Sequence, residues 1–531
     1  MIFMRSRWRL ERALIALEYA FLTFLVVRSV SEAWSDVAIF LGPFRINPSV
    51  TIVALMDVLA VVYLAVRWLR RDPLIDRFGT LFLLWVLSLG PWVVVAAVEW
   101  GIPGLSGARE WFRLLSLVLI YLTVWSIARH RGPTRVINAC LLALPVPLVI
   151  TYYQILTFAT GERAFGPMVH PNNLAAFLVI MIVLTAWKLV QAGPNWTVRG
   201  LWTGLLGIEL IALIAPVSSN GWLMLAAFLV AVFVFAQGRA FKRAGVATMV
   251  AFGLILLAVF TQNPRIQSEI WGNLVSVGIE APAGETTSSN LEGRLTMWRG
   301  LFADWTRQPI LGYGLNSAFS LNPITGKAAH SDYIRYLVEA GAFGLLFFVV
   351  FQVLGALELC RWRRWLADRR AHLMMTFAFG AFLAWIVGSL ADNLISYTVF
   401  HVYFWSFLAC ATAVATTTAE PKVDTSNLPR EAPDSDPPLR PSKIQRPRSL
   451  RGWLAPAASI PAPNDALDGR PCVGCGSRPR SRDNILCPRC LRPLLSWPKR
   501  LGLFVVVQAL VGLMGVYLWS QGAGIETFVL G

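Results

Sequence analysis

Four cysteines near the end of the chain carry a recognisable chemistry. They stand as Cys472-Val-Gly-Cys475 and Cys487-Pro-Arg-Cys490, two pairs separated by eleven residues. Four thiolates at this spacing can close a tetrahedron around Zn2+, and Gly476 and Pro488 suit the tight turns that such pairs need. Such a site has no open coordination position, so its metal is structural and not catalytic. A segment this short, residues 471–495, cannot bury a core of its own and would depend on the metal to fold. The chain has seven cysteines; the other three, Cys140, Cys360 and Cys410, lie singly in apolar runs and read as packing residues.

A second set of residues is scattered over polar stretches between apolar runs. His330-Ser331 is followed by nine residues and then Gly341-Ala-Phe-Gly344. Upstream stand Arg294-Leu-Thr-Met-Trp298 and Pro309-Ile-Leu-Gly-Tyr-Gly314, and earlier still Gly166 with His170-Pro-Asn-Asn173-Leu-Ala. These four pieces, in this order, resemble the O-antigen ligase and O-antigen polymerase superfamily, and the resemblance covers roughly residues 10 to 415. The cysteine segment resembles a zinc ribbon appended to that region.

Members of that superfamily move a glycan from a polyprenyl diphosphate carrier to a hydroxyl acceptor outside the cytoplasmic membrane. The resemblance therefore implies a membrane glycosyltransferase with no cofactor for catalysis. Its partners would be a lipid-linked glycan donor, a glycan or lipid hydroxyl acceptor, and membrane lipids. A hydroxyl is a poor nucleophile, and His330 is the candidate base. The leaving diphosphate is anionic, and guanidinium groups hold such oxygens through paired hydrogen bonds. Arg294 is the first candidate for that role, with Arg163 and Arg335 also near the outer face and Asn173 lining the site. One departure stands out. Where the family usually carries Ser-Arg-Gly, this chain has Ser219-Asn220-Gly221. Asn220 can bond a phosphate but brings no charge, so another arginine, Arg109 or Arg113 beside Trp111, would have to replace it, or the donor site differs. Ligase, polymerase and protein-glycosylating members share these motifs, so donor sugar and acceptor stay open.

The elements that must position these residues follow from composition. Hydrophobic residues make up 56% of the 531, and charged residues only 15%. Soluble proteins carry about 25% charged residues. Mean hydropathy is +0.58. The formal net charge of +17 sits mostly in short Arg clusters between apolar runs, a pattern of topology control and lipid contact rather than nucleic-acid binding. Apolar runs begin near Ala13, Thr51, Gly79, Arg113, Val136, Leu174, Leu201, Trp222, Gly245, Tyr336, Leu373 and Val399, and another near Leu501. The expected fold is all-α: a polytopic transmembrane helical bundle of about twelve spans over residues 1–417, with one C-terminal span at 501–520. The basic start, Arg5 to Arg12, leads into the first apolar run without a small-residue cleavage site and reads as an anchor.

With the N-terminus in the cytoplasm, every second loop is basic. Residues 262–331 then form a long periplasmic or extracellular loop, with an amphipathic stretch from Arg294 to Thr306, and Asp392–Tyr397 forms a short outer corner. The topology matches the family resemblance and implies the cytoplasmic (inner) membrane. Residues 418–470 are rich in Pro, Ser, Asp and Arg and read as a disordered linker to the cytoplasmic four-cysteine ribbon, which could recruit a cytoplasmic protein. Twelve spans also suit a transporter or lipid-linked glycan flippase, but the repeated halves and broken midplane helices usual in transporters are not visible.

Overall fold

The computed structural model describes residues 2–34, 37, 39–41, 44–157, 162–235, 253, 267–268, 271–272, 290–321, 329–419, 467–471 and 479–481. The chain divides into two units, Met1–Thr417 with Leu503–Gly531, and Thr418–Gly502. Among its described residues the first is an all-α polytopic bundle with one short hairpin. Among the described residues, nine helical segments are long and apolar enough to cross a membrane. They are built from α1 (Ile2–Ser31), α2 (Pro48–Leu69), α3 (Arg77–Ser88) with α4 (Gly90–Trp100), α5 (Ser106–Arg131), α6 (Pro133–Leu142) with α7 (Pro145–Thr157), α8 (Pro171–Gln191), and three helices late in the chain. The runs near Leu201 and Trp222 form shorter helices of 17 residues, α9 (Trp196–Ala212) and α10 (Ser219–Phe235). The run near Gly245, the 501–520 span and the zinc cysteines Cys472, Cys475, Cys487 and Cys490 lie outside the described residues. In the second unit, β3 (Leu467–Pro471) pairs antiparallel with β4 (Pro479–Ser481), while β1 (Ile39–Leu41) and β2 (Phe44–Ile46) form a small hairpin between α1 and α2.

Local chemistry sets the helix ends. Asn47 accepts from Val50 N at 2.8 Å and Asp76 from Gly79 N at 2.8 Å, each satisfying a donor that the first turn leaves orphaned. Pro91 and Pro145 lack an amide donor and so divide two of the spans, into α3–α4 and α6–α7. The late helices follow a polar stretch: α11 (Asn290–Trp305), α12 (Ala318–Leu321), α13 (Asp332–Trp365), α14 (Arg369–Ala391) and α15 (Thr398–Ala419).

The bundle's interior is aromatic. Trp85 of α3 stacks on Phe351 of α13 at 4.7 Å, and Phe82 stacks on Trp405 of α15 at 4.0 Å. Lipid tails are as apolar as these rings, so close van der Waals packing rather than water exclusion holds them together. Carboxylates within apolar runs bond across helices: Glu209 accepts from Thr185 at 2.7 Å and Asp57 from Ser116.

The Gly-x-x-Gly of the sequence motif is a notch in a helix. Gly341 has φ +63° and ψ −166°, outside helical space and in a region that only glycine occupies comfortably. The break frees carbonyls that the helix would otherwise use. Val338 O accepts from Tyr313 N at 3.1 Å, Glu339 O from Gly314 N at 2.8 Å, and Pro309 O from Ala342 N at 2.8 Å. The Pro309–Gly314 turn thus sits in the Gly341 notch, so close that a Cβ at 341 would lie 2.1 Å from Ile310 O. Indole donors fasten the same stretch to its surroundings. Trp92 donates to Leu311 O at 2.6 Å, Trp100 to Tyr313 O at 2.9 Å, and Trp298 to Ala329 O at 2.6 Å. The expected amphipathic stretch is α11, whose Met297 and Leu301 pack with Tyr313, Ala329 and Val338.

Candidate functional site

Helix α14 ends at Ala391, and Asp392 turns into extended backbone before a single 3-10 turn leads into α15. The Asp392 carboxylate is buried and takes four hydrogen bonds. On one oxygen, Oδ1, lie His330 Nδ1 at 3.3 Å and the backbone N–H of Asn393 at 2.9 Å. On the other, Oδ2, lie the Asn172 amide at 2.7 Å and the Tyr397 hydroxyl at 2.9 Å. A second row of bonds zips the two segments together. Ser331 N donates to Asn393 Oδ1 at 3.0 Å, and Ile395 N donates to Asp332 Oδ2 at 3.2 Å. His330 itself has φ +50°, a left-handed conformation uncommon for a side chain of this size.

Burial alone would raise the Asp392 pKa. The His330 hydrogen bond, the Arg294 charge, the His330 charge and the Tyr397 hydrogen bond outweigh it and hold the carboxyl below its ordinary value near 3.8. Tyr397 moves the opposite way, well above its ordinary value, through burial and then the Asp392 charge, so it stays a protonated donor. An ionised Asp392 accepts from His330 Nδ1–H, which leaves the Nε2 lone pair as the free end of the ring.

The segments expected on one side of the membrane meet here. Arg294 donates to Ala391 O, next to the carboxylate. Arg163 donates to Asn172 Oδ1 at 2.8 Å and to Pro216 O at 2.7 Å, which joins the stretch before α8 to the turn before α10. His170 caps α8: its Nδ1 accepts from Asn172 N at 3.2 Å, as expected of a residue that fixes the turn before Pro171. Asn173 and Asn220 are both buried, in the first turns of α8 and α10, and the Oδ1 atom of each has no partner among the described residues.

Arg335 stands apart from the His330 cluster. Its guanidinium is buried and bonded to Glu339 at 2.9 Å, Glu110 at 2.9 Å and Ser396 at 3.0 Å. Arg113 completes this group through Glu110, Ile395 O and Thr398. These bonds brace the 394–398 turn beneath Asp392. Trp111 donates to Val86 O at 2.8 Å.

Sequence reasoning missed Asp392, Asn172 and Tyr397. Asp392 and Tyr397 lie in a six-residue corner between apolar runs, where a lone carboxylate is a usable signal. Asn172 and Asn173 both follow His170-Pro171, and only the fold separates their roles.

Residues 204–349 match the model of a family described as O-antigen ligase. The match runs from α9 through α10 and α11 to the first half of α13, and so includes Asn220, Arg294, His330 and the Gly341 notch. No curated protein is significantly similar to the chain. The match covers about a quarter of the 531 residues; with the membrane-spanning helices it supports a membrane protein with a glycan ligase or polymerase role.

Proposed function

We propose that the protein is a glycosyltransferase that joins a polyprenyl-diphosphate-linked glycan to a hydroxyl acceptor at the outer face of the cytoplasmic membrane. The observation that carries this reading is the His330–Asp392 pair, a carboxylate–imidazole arrangement whose histidine lies in the matched region. The acceptor O–H gives its proton to His330 Nε2 as its oxygen attacks the anomeric carbon. A new glycosidic C–O bond forms, the C–O bond to the diphosphate breaks, and the polyprenyl diphosphate leaves with the electron pair. Asp392 fixes the ring and stabilises the imidazolium that results. Arg294 and Arg163 are the guanidinium groups of the cluster and would hold the diphosphate, with Asn173 lining the site and Asn220 offering a neutral amide where the family carries an arginine.

General-base removal typically costs about 10²- to 10⁴-fold. His330→Ala should therefore leave surface glycan short or absent while the protein remains in the membrane. Normal polymer in that variant would reject the proposal.

We also infer that Cys472, Cys475, Cys487 and Cys490 bind structural Zn2+ in a ribbon that docks a cytoplasmic protein. The thiolate donor set supports it, and so does the β3–β4 pair, which brackets the first cysteine pair.

A further inference from the structure

We infer that Asn172 is a positioning residue that sets the Asp392 carboxylate against His330. The inference rests on the proposed role of His330. Asn172 is buried in the first turn of α8 and uses both ends of its amide. Its Nδ2 donates to Asp392 Oδ2 at 2.7 Å, and its Oδ1 accepts from Arg163 at 2.8 Å. With Tyr397 also on Oδ2, the carboxylate cannot rotate, and Oδ1 is left facing the imidazole. Only an amide serves both neighbours. An aspartate at 172 would still accept from Arg163 but would set a second carboxylate against Asp392, so that the two would share a proton. An alanine would serve neither. Asn172 thus links the arginine proposed to hold the donor to the carboxylate that orients the base, through two bonds and no intervening water.

Two explanations of Asn172 therefore predict opposite orders. If its work is to position Asp392, Asn172→Asp is at least as damaging as Asn172→Ala. If its work is to hold Arg163, Asn172→Asp behaves like the natural protein. The full-length protein in lipid nanodiscs would be treated with diethyl pyrocarbonate, and labelling of the His330 peptide followed by mass spectrometry. An imidazole paired with an oriented carboxylate is the better nucleophile. Both variants should label His330 more slowly by about fivefold or more, the scale on which directly bonded residues couple. In an Asp392→Asn background neither substitution should slow labelling any further. Turnover of a polyprenyl-diphosphate-linked oligosaccharide from the producing cells by Asn172→Asp, which still accepts from Arg163, should show a lower kcat with the donor KM retained. Natural labelling in Asn172→Asp would overturn the inference, as would Asn172→Ala slowing labelling by the same factor in the Asp392→Asn background as in the natural one. Thermal melting of each variant separates these results from misfolding. Because labelling needs no turnover, glycan transfer surviving in His330→Ala would reject the base reading without touching this test.

Discussion

His330 Nδ1 lies 3.3 Å from Oδ1 of Asp392, although 62 residues separate them in the chain. The span between them, α13 and α14, returns the chain to the same end of the bundle. Removing the charge while keeping the shape isolates the effect of the pairing. Asp392→Asn should fold, since asparagine can still accept from Asn172 and Tyr397. It should lower glycan transfer by about 10²-fold or more, as expected when the base loses its orienting carboxylate. Single-turnover transfer measurements would check this, and an unchanged rate would detach Asp392 from the chemistry.

The same pairing gives a pH signature in stability. The folded pKa of Asp392 lies below its ordinary value near 3.8. A depressed carboxyl contributes stability that is present above its unfolded pKa, about 3.9, and is lost as pH falls through the folded value. The difference in melting temperature between the natural protein and Asp392→Asn should stay level from neutral pH to about pH 5, shrink as pH falls past the unfolded pKa of about 3.9, and vanish only below the lower folded value. A difference that grew on acidification would have the wrong sign.

Gly341 offers a test of the notch. Alanine there would need a backbone conformation reserved for glycine, at a cost of about 1–3 kcal/mol, and its Cβ would also meet Ile310 O. Gly341→Ala should lower thermal stability and glycan transfer together, because the Pro309–Gly314 turn must move. Gly293→Ala in α11, where a Cβ meets nothing within 4 Å, is the control and should be neutral or stabilising by about 0.5–1 kcal/mol.

Arg335 and Glu110 form a buried pair whose loss should be felt as stability first. Removing one partner of such a pair typically costs up to about 3–5 kcal/mol; without Glu110, Arg335 keeps Glu339, but Arg113 loses the Glu110 carboxylate that it shares with Arg335. Glu110→Ala should therefore destabilise the protein strongly, whereas Glu110→Gln should be milder by keeping a hydrogen-bond acceptor. If Glu110→Ala melts normally but fails to bind donor, Arg335 belongs to the substrate site rather than to the brace.

The cysteine segment predicts one zinc per chain by elemental analysis, lost in Cys472→Ser. Chelation should unfold residues 471–495 and leave glycan transfer intact, and deletion after Thr418 should do the same. Transfer that failed on chelation would tie the metal to the reaction.

Much of the bundle is legible in the chain because hydropathy is a local property. Runs near Ala13, Thr51 and Leu373 became α1, α2 and α14, and the amphipathic stretch after Arg294 became α11. His330 was legible from its spacing to Gly341. Its partner was not, because no local pattern ties Asp392 to a residue on the far side of two spans. The reason for the glycines was hidden too. Gly312 is needed because a Cβ there would lie 2.6 Å from Gly341 N, and Gly314 because one there would lie 2.3 Å from the Ala96 backbone of α4, fits that exist only once the turn has entered the helix break. Arg335 illustrates the converse. Its i+4 partner Glu339 was predictable, but Glu110, which helps to enclose it, comes from α5.

The indole bonds to Leu311, Tyr313 and Ala329 bear on how an acceptor would arrive. Three tryptophans hold backbone carbonyls before His330, one of them that of its neighbour Ala329, so the shape of this surface is set when the chain folds. The entropy of ordering that surface is then met during folding rather than at each encounter. If His330 acts as the proposed base, a backbone held in this way meets each acceptor with a shape already fixed, so that selection among hydroxyls would work by fit.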